Sequence, residues 1–467
     1  MKALNAYQIS GAEVLPLVEG GKGVAISNGF TAGSWAKAGG VGTFSCVNPD
    51  SYAADGTPIP QVYHGATRRE RFEELKTYAI QGGIEQARIA HETREGNGRI
   101  HMNVLWEAGG TVPILHGVLS EVADLIHGVT CGAGMPYKVA EIVAQYGVNY
   151  YPIVSSGRAF NALWKRSYKN YAELLGGVVY EDPWLAGGHN GLSNAEDPLE
   201  PQDPYGRVLE LRKVMRACGL DNTPIIMAGG VWFLRDWADW IDNDELGPIA
   251  FQFGTRPLLT QESPIMDAWK DRLLNLQDGD VALQQFSPTG FYSSAIKNTF
   301  LEGLIARSER QVEYRAKAGE DPAFTAELPL GPRGRPVFLK PEDLPRAQDW
   351  LDADFTVGMK TPDSTLVFET VEKSQKILKS QAECMCCLSQ CRFSNWADNE
   401  EGTNGKRADP RSFCIQKALQ LAAHGGDLEQ SLMFAGHNAY KFGQDPFYAG
   451  GFIPTVKQLV ERIQTGD

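Results

Sequence analysis

No stretch of this chain approaches the roughly eighteen uninterrupted apolar residues that a spanning helix requires, so such a helix is excluded. The segment Met1 to Gly20 carries one lysine, an acidic Glu13 and only the short apolar run Val14–Val18, which is not a secretory signal. Positive charge is in deficit: 44 Lys and Arg against 57 Asp and Glu leave a net charge of −13. That balance argues against a broad nucleic-acid footprint, although a local basic patch could sit within it. No Walker loop and no nucleophile elbow is found. The expectation is a soluble cytoplasmic protein that handles a small-molecule substrate, has no membrane partner, and whose oligomeric state the sequence leaves open.

What is present is bulk and glycine. With 467 residues, 43% of them hydrophobic, the chain is too long for one ordinary core and too apolar to be disordered. It fits one large barrel plus an extra module, or two to three average domains. Many of the 50 glycines stand as Gly-Gly or Gly-x-Gly just after short apolar runs, where backbone can approach a ligand. A large α/β protein also needs many turns, so only well-placed glycines are informative.

Between Gly23 and Leu259 a β-rich run followed by a helical pattern recurs. The runs are Val24–Ser27, Val41–Val47, Ile100–Trp106, Leu125–Thr130, Asn149–Ser155, Gly177–Glu181, Pro224–Met227 and Pro248–Phe253. Amphipathic segments at Pro136–Tyr146, Arg158–Leu175 and Tyr205–Cys218 separate some of them. The gap from Asn48 to Arg99 leaves room for a surface excursion with its own helix. Eight such units indicate an α/β fold, a (β/α)8 TIM barrel, with a doubly wound open sheet as the alternative. From about Leu304 the texture changes. Pro322, Pro329, Pro332, Pro336, Pro341 and Pro345 crowd one stretch, which reads as an irregular surface excursion. Thr370–Lys379 and Thr455–Ile463 read as helices. The expected division is a barrel over 1–303, a cysteine-containing insertion over 304–419, and a C-terminal helical segment over 420–467 packing back on the barrel.

Active sites of such barrels lie at the C-terminal ends of the strands, and phosphate often binds after the seventh and eighth. Here those loops read Met227-Ala228-Gly229-Gly230-Val231 and Gln252-Phe253-Gly254-Thr255-Arg256. Their glycines would admit phosphate oxygens to backbone N–H groups, and Thr255 could add a hydroxyl; two tight turns without a ligand are the plainer possibility. After the sixth strand comes Ala186-Gly187-Gly188-His189-Asn190-Gly191. A histidine flanked by glycines has few neighbouring side chains to hold it as core, and its imidazole could exchange a proton near neutral pH. Asn103 could hydrogen-bond a flat heterocycle or be a satisfied buried amide. Gly132-Ala133-Gly134 could bring backbone near a ring, and Ser155 and Ser156 end the fifth strand. Gly20-Gly21-Lys22-Gly23 precedes the first expected strand, so it is not a dinucleotide fingerprint.

These motifs, AGGHNG at 186–191, AGG at 228–230, QFGT at 252–255, Asn103 in HMNVLW and GAGMP at 132–136, resemble the nitronate monooxygenase (2-nitropropane dioxygenase) family of FMN-dependent (β/α)8 barrels. Glu262-Ser263, Gly426-Asp427, Ala435-Gly436-His437 and Ile453-Pro454 extend the resemblance, which covers roughly 15–300 and 420–467. It implies that Asn103, Gly187, Gly230 and Gln252 to Thr255 contact FMN, with Gly188 and Gly229 in the same loops, and that His189 is the catalytic acid/base. Where the family commonly has glutamine seven positions before that histidine, this chain has Asp182, a carboxylate that would alter ring contacts and redox tuning. Nitronate oxidation is the family's default reaction. An NAD(P)H-dependent quinone or enoyl reductase is the second enzymatic reading.

The largest departure is the insertion, which holds Cys384, Cys386, Cys387, Cys391 and Cys414. In a reducing compartment such thiols suggest a metal site before disulfides. Cys384, Cys387, Cys391 and Cys414 form the expected four-ligand set, for a [4Fe–4S] cluster with zinc as the alternative. Arg392, Lys406, Arg407 and Arg411 make the region locally basic, so a metal-stabilised docking module for RNA or a protein partner is a third reading.

Overall fold

The computed structural model describes residues 2, 4–132, 134–330 and 334–466; Met1, Ala133 and Pro332 lie outside the described residues. Eight parallel strands form a closed barrel. They are β1 Leu17–Glu19, β2 Val41–Ser45, β3 Arg99–Leu105, β4 Gly128–Gly132, β5 Asn149–Val154, β6 Val178–Glu181, β7 Ile225–Ala228 and β8 Ile249–Phe253. β8 returns beside β1, with Phe251, Gln252 and Phe253 opposite Leu17, Val18 and Glu19. The expected TIM barrel is present. One strand is corrected: Val24–Ser27 is a turn, and β1 is the three-residue segment between Pro16 and Gly20. Gly20–Gly23 therefore follows a strand and opens onto the same end of the barrel as the other glycine loops.

The barrel interior is packed by inward residues, among them Val18, Val41, Tyr151, Val179, Ile226 and Ala250. Its lower end is plugged by the antiparallel pair Tyr7–Ile9 and Ala12–Val14. At the turn of that pair the Ser10 hydroxyl meets His101 Nε2 at 2.8 Å and Tyr151 OH at 2.7 Å. Outside, α1 (Gly29–Lys37) starts behind the Asn28 cap, whose Oδ1 accepts the Thr31 N–H. α2 (Arg68–Thr93) starts in a Thr67/Glu70 capping box. The loops after β7 and β8 carry only short 3-10 turns, Leu234–Trp240 and Arg256–Leu258. The helix that completes the ring comes from the far end of the chain: Val456–Gln464 packs against α1 and buries Val456, Leu459, Val460 and Ile463 in the main core.

The stretch from about 304 is not an irregular excursion. Gln311–Glu313, Thr365–Glu369 and Val357–Lys360 form an antiparallel sheet, and Ala326–Leu330 pairs with Arg335–Leu339. Val312, Leu328, Leu339, Ala347, Leu366 and Phe368 give it a core of its own. Pro329 and Pro336 face each other in a two-stranded ribbon, where outward positions need no N–H donor. Pro341 and Pro345 open helical turns, where a missing N–H costs nothing.

β2 and α1 touch backbone to backbone at Gly42. A Cβ there would sit 1.7 Å from the Ala32 carbonyl oxygen. Gly42→Ala is expected to cost at least about 3 kcal/mol, the upper end of ordinary overpacking. Urea denaturation checks this; an unchanged midpoint would contradict the helix–strand contact.

Candidate active site

The strand ends and the loops beyond them line a cavity that opens to solvent. Asn103, Gly187, Gly188, His189, Gly229, Gly230, Gln252, Gly254 and Thr255 all line it. Asp182 does not. It is 1% exposed, and its Oδ1 accepts the N–H groups of Trp184 at 2.9 Å and Leu185 at 2.8 Å. The carboxylate thus shapes the loop leading to His189 instead of meeting a ligand. Its neighbour Glu181, at the end of β6, lines the cavity. Burial, with the adjacent Asp182 as a smaller cause, raises the Glu181 carboxyl to about 8, so it is largely neutral at pH 7.

His189 has more support than its glycine neighbours suggest. Gly188–His189 is a short strand, antiparallel to Ser293–Ile296, which itself pairs with Val281–Gln284. His189 Nε2 shares a 2.6 Å hydrogen bond with the Ser287 hydroxyl, which lies 2.8 Å from Thr289 Oγ1. The Phe434 ring packs edge-on at 5.4 Å. Burial lowers the imidazole to about 4, so at neutral pH it is an uncharged ring with one nitrogen able to take a proton.

The glycine-loop side of the cavity is built from three chain segments. Gly229 and Gly230 follow β7 with φ of +88° and +77°, in the left-handed region that glycine enters without strain. Thr255 Oγ1 accepts the Gly436 N–H at 2.9 Å, which leaves its own proton to donate. Asn438 Nδ2 donates to the Gly230 carbonyl at 2.6 Å, and the His437 N–H donates to the Leu185 carbonyl at 3.1 Å. Arg256 donates to the Trp232 carbonyl at 2.9 Å and pairs with Asp445. The C-terminal segment thus clamps the loops after β6, β7 and β8 together. A Cβ on Gly254 would have nothing within 4 Å, so that glycine leaves open space for a ligand beside Thr255. Open space flanked by glycine backbone and a hydroxyl, with the amide of Asn103 further in, fits a phosphate-bearing flat ring system such as FMN.

Sequence reasoning missed Glu181, Ser287 and the loop after β1. Lys22 lines the cavity there; its ammonium donates to Gly20 O at 2.7 Å and approaches buried Glu19 at 3.4 Å. Burial raises Glu19 and lowers Lys22, each moderated by the other. Correct placement of β1 would have exposed this loop. Nothing local in the sequence marks Ser287.

All eight cysteines are free thiols. Among the described residues no group of three or more His, Cys, Asp or Glu side chains is arranged to hold a metal ion, so neither the expected iron–sulfur cluster on Cys384, Cys387, Cys391 and Cys414 nor the zinc alternative is supported. Of the basic residues in this segment, Arg411 pairs with Asp409 at 2.8 Å and Asp363 at 2.9 Å. No helix among the described residues is long and apolar enough to cross a membrane.

A (β/α)8 barrel with a glycine-lined cavity over its strand ends and a histidine in the wall defines the class. The nitronate monooxygenase family profile matches residues 9–466, and the chain belongs to that family of FMN-dependent oxidoreductases. FabK from Thermotoga maritima is similar in structure, with a TM-score of 0.50 and 15% identity over 97% of this chain and 92% of that one. The enoyl reductase domain of MlnA from Bacillus amyloliquefaciens gives 0.52 and 12% over 97% and 93%. A nitroalkane oxidase from Streptomyces ansochromogenes gives 0.42 and 17% over 62% and 78%. No curated protein matches the chain.

Proposed function

We propose that this oxidoreductase oxidises a small carbon acid or its anion, such as a nitroalkane or an alkyl nitronate, with His189 as the acid/base. The supporting observation is that His189 and the glycine loops after β7 and β8 share one cavity wall. FMN, when bound, supplies the electron acceptor. Gly230, Gly254 and Thr255 hold its phosphate, and Asn103, Gly187 and Gln252 meet the ring system. Uncharged His189 takes a proton from the carbon next to the electron-withdrawing group, or returns one to the product anion. Ser287 fixes the imidazole's orientation through Nε2. On this reading the chain divides into a barrel (1–303), an insertion (304–419) and a closing segment (420–467) that supplies the Phe434–Asn438 side of the site.

A second reading, NAD(P)H-dependent reduction of an enoyl substrate, is favoured by the apolar wall that Leu388, Ile415, Leu419, Leu432, Met433 and Phe434 add to the cavity. Those side chains suit an extended acyl group better than a small nitronate. Oxygen uptake with alkyl nitronates and anaerobic bleaching of the flavin by NADH or NADPH separate the two. Uptake without bleaching supports nitronate oxidation; bleaching followed by reoxidation with an enoyl thioester supports reduction.

The lowered His189 pKa fixes the acid limb. A histidine held near 4 stays deprotonated through the ordinary titration range around 6.5 and is lost as a base only as pH falls toward about 4. The acid limb of kcat/KM is therefore expected well below pH 6. A limb at about 6.5 would assign the base to another group or an unburied ring.

A further inference from the structure

The loop after β1, Gly20–Gly23, lines the cavity with all four of its residues. Three are glycines, so the one side chain it carries is that of Lys22. The glycines are there because the loop is pressed against its neighbours. A Cβ on Gly20 would lie 3.2 Å from Gly254 Cα and 3.3 Å from Gln252 Nε2. One on Gly21 would collide with Asn103 Cβ, and one on Gly23 would lie 2.8 Å from Val47 Cβ. Lys22 is therefore carried beside Gln252 and Asn103, the two polar side chains that meet the ring system in the proposed site.

The Lys22 ammonium turns back along the loop, donating to the Gly20 carbonyl at 2.7 Å and pairing with Glu19 Oε1 at 3.4 Å. The partners are placed differently. Lys22 lines the cavity and its side chain is 17% exposed, whereas that of Glu19 is 1% exposed and lies behind the wall. There the Ser27 hydroxyl stands 3.5 Å from Oε1, and the Thr43 N–H donates to Oε2 at 3.4 Å. The pair is thus a dipole with its positive end at the cavity. Among the described residues that line the cavity the other fixed cation is Arg256, which already pairs with Asp445 and donates to the Trp232 carbonyl.

We propose that the Lys22 ammonium, backed by Glu19, stabilises the negative charge that the FMN ring system gains on reduction, and so raises the flavin's reduction potential. The inference rests on FMN occupying this cavity. Oxidised FMN takes up two electrons, from the carbon acid or its anion, and one proton, and the reduced ring then carries one negative charge. Charge placed near the ring is one of the means by which a protein sets flavin electronics. A largely buried ammonium acts on such a charge more strongly than one in bulk water. Glu19 keeps that ammonium protonated, opposing the burial that would otherwise favour the neutral amine. For the fold alone the pair has little value, because a buried ion pair costs desolvation that an apolar pair of similar volume avoids. The phosphate is the competing use of the charge. The loop touches Gly254 only at Gly20 and runs from there to Asn103 and Val47, which favours the ring.

The test is the midpoint potential of the FMN-loaded full chain, measured by anaerobic dithionite reduction against a reference dye, with FMN affinity from fluorescence titration. K22M should make the flavin at least about tenfold harder to reduce, a fall of ~30 mV or more for a two-electron couple. K22R, which keeps the charge, should stay closer to the unmutated value. The double variant E19Q/K22M leaves no carboxylate buried without its partner, and should show the same fall even if K22M folds poorly. An unchanged potential in either Met variant overturns the inference. So does loss of FMN binding from both of them, which would give Lys22 to the phosphate. An unmutated protein that binds no FMN overturns the flavin reading itself, and this use of Lys22 with it; a flavin-loaded variant with unchanged potential overturns the inference alone.

Discussion

His189→Gln is expected to lower turnover by about 10²–10⁴-fold, the range of a positioned acid/base, while flavin stays bound. The two effects separate because the residues differ. The imidazole is held by Ser287, Phe434 and the strand pairing with Ser293 and Ser294. The proposed phosphate cradle is held by Gly229, Gly230, Gly254 and Thr255, with Gly436 and Asn438 behind them. Glutamine preserves a hydrogen-bonding side chain of similar reach but cannot accept a proton at neutral pH. Steady-state turnover and the flavin-to-protein absorbance ratio check both halves. Retained turnover would move the proton transfer to another group, and Glu181 would be the first to examine, since it lines the same cavity in a neutral form.

Gly254→Leu is expected to give a folded, colourless protein. The position needs no left-handed backbone, and a Cβ there meets no protein atom within 4 Å, so the fold has no reason to object. The added side chain would instead fill the space beside Thr255 that the phosphate requires. FMN content should fall at least about tenfold, a loss of ~1.4 kcal/mol or more in binding, with an unfolding midpoint like that of the unmutated protein measured without flavin. A yellow variant with full flavin content would place the phosphate elsewhere. A collapse in stability would show that Gly254 serves the fold, as Gly42 does.

The strand–loop–helix rhythm was legible because seven of the barrel strands are apolar runs bounded by turn residues. The exception was β1. Pro16 and the glycines at 20 and 21 leave only three strand residues there, while Val24–Ser27 is apolar because tight loops over the cavity are buried. Burial without repetition carries no period, so the turn mimicked a strand. Proline density misled for a related reason: in a two-stranded ribbon, and at the first turn of a helix, its missing donor is harmless.

The cavity's glycine loops could be read because their spacing follows the strands that carry them. Asp182 could not be placed by counting back from His189, because its side chain folds onto its own loop. The partners that hold His189 were out of reach for another reason. Ser287 and Phe434 lie far along the chain, on segments that only the folded hairpin and the returning C-terminus bring to the site.

The most direct test of the account is a crystal structure of the protein saturated with FMN. The account predicts the phosphate against Gly230, Gly254 and Thr255, the ring system over the strand ends near Asn103, and the His189 imidazole facing it. A cavity left empty at saturating FMN, or a flavin bound with His189 turned away, would contradict it.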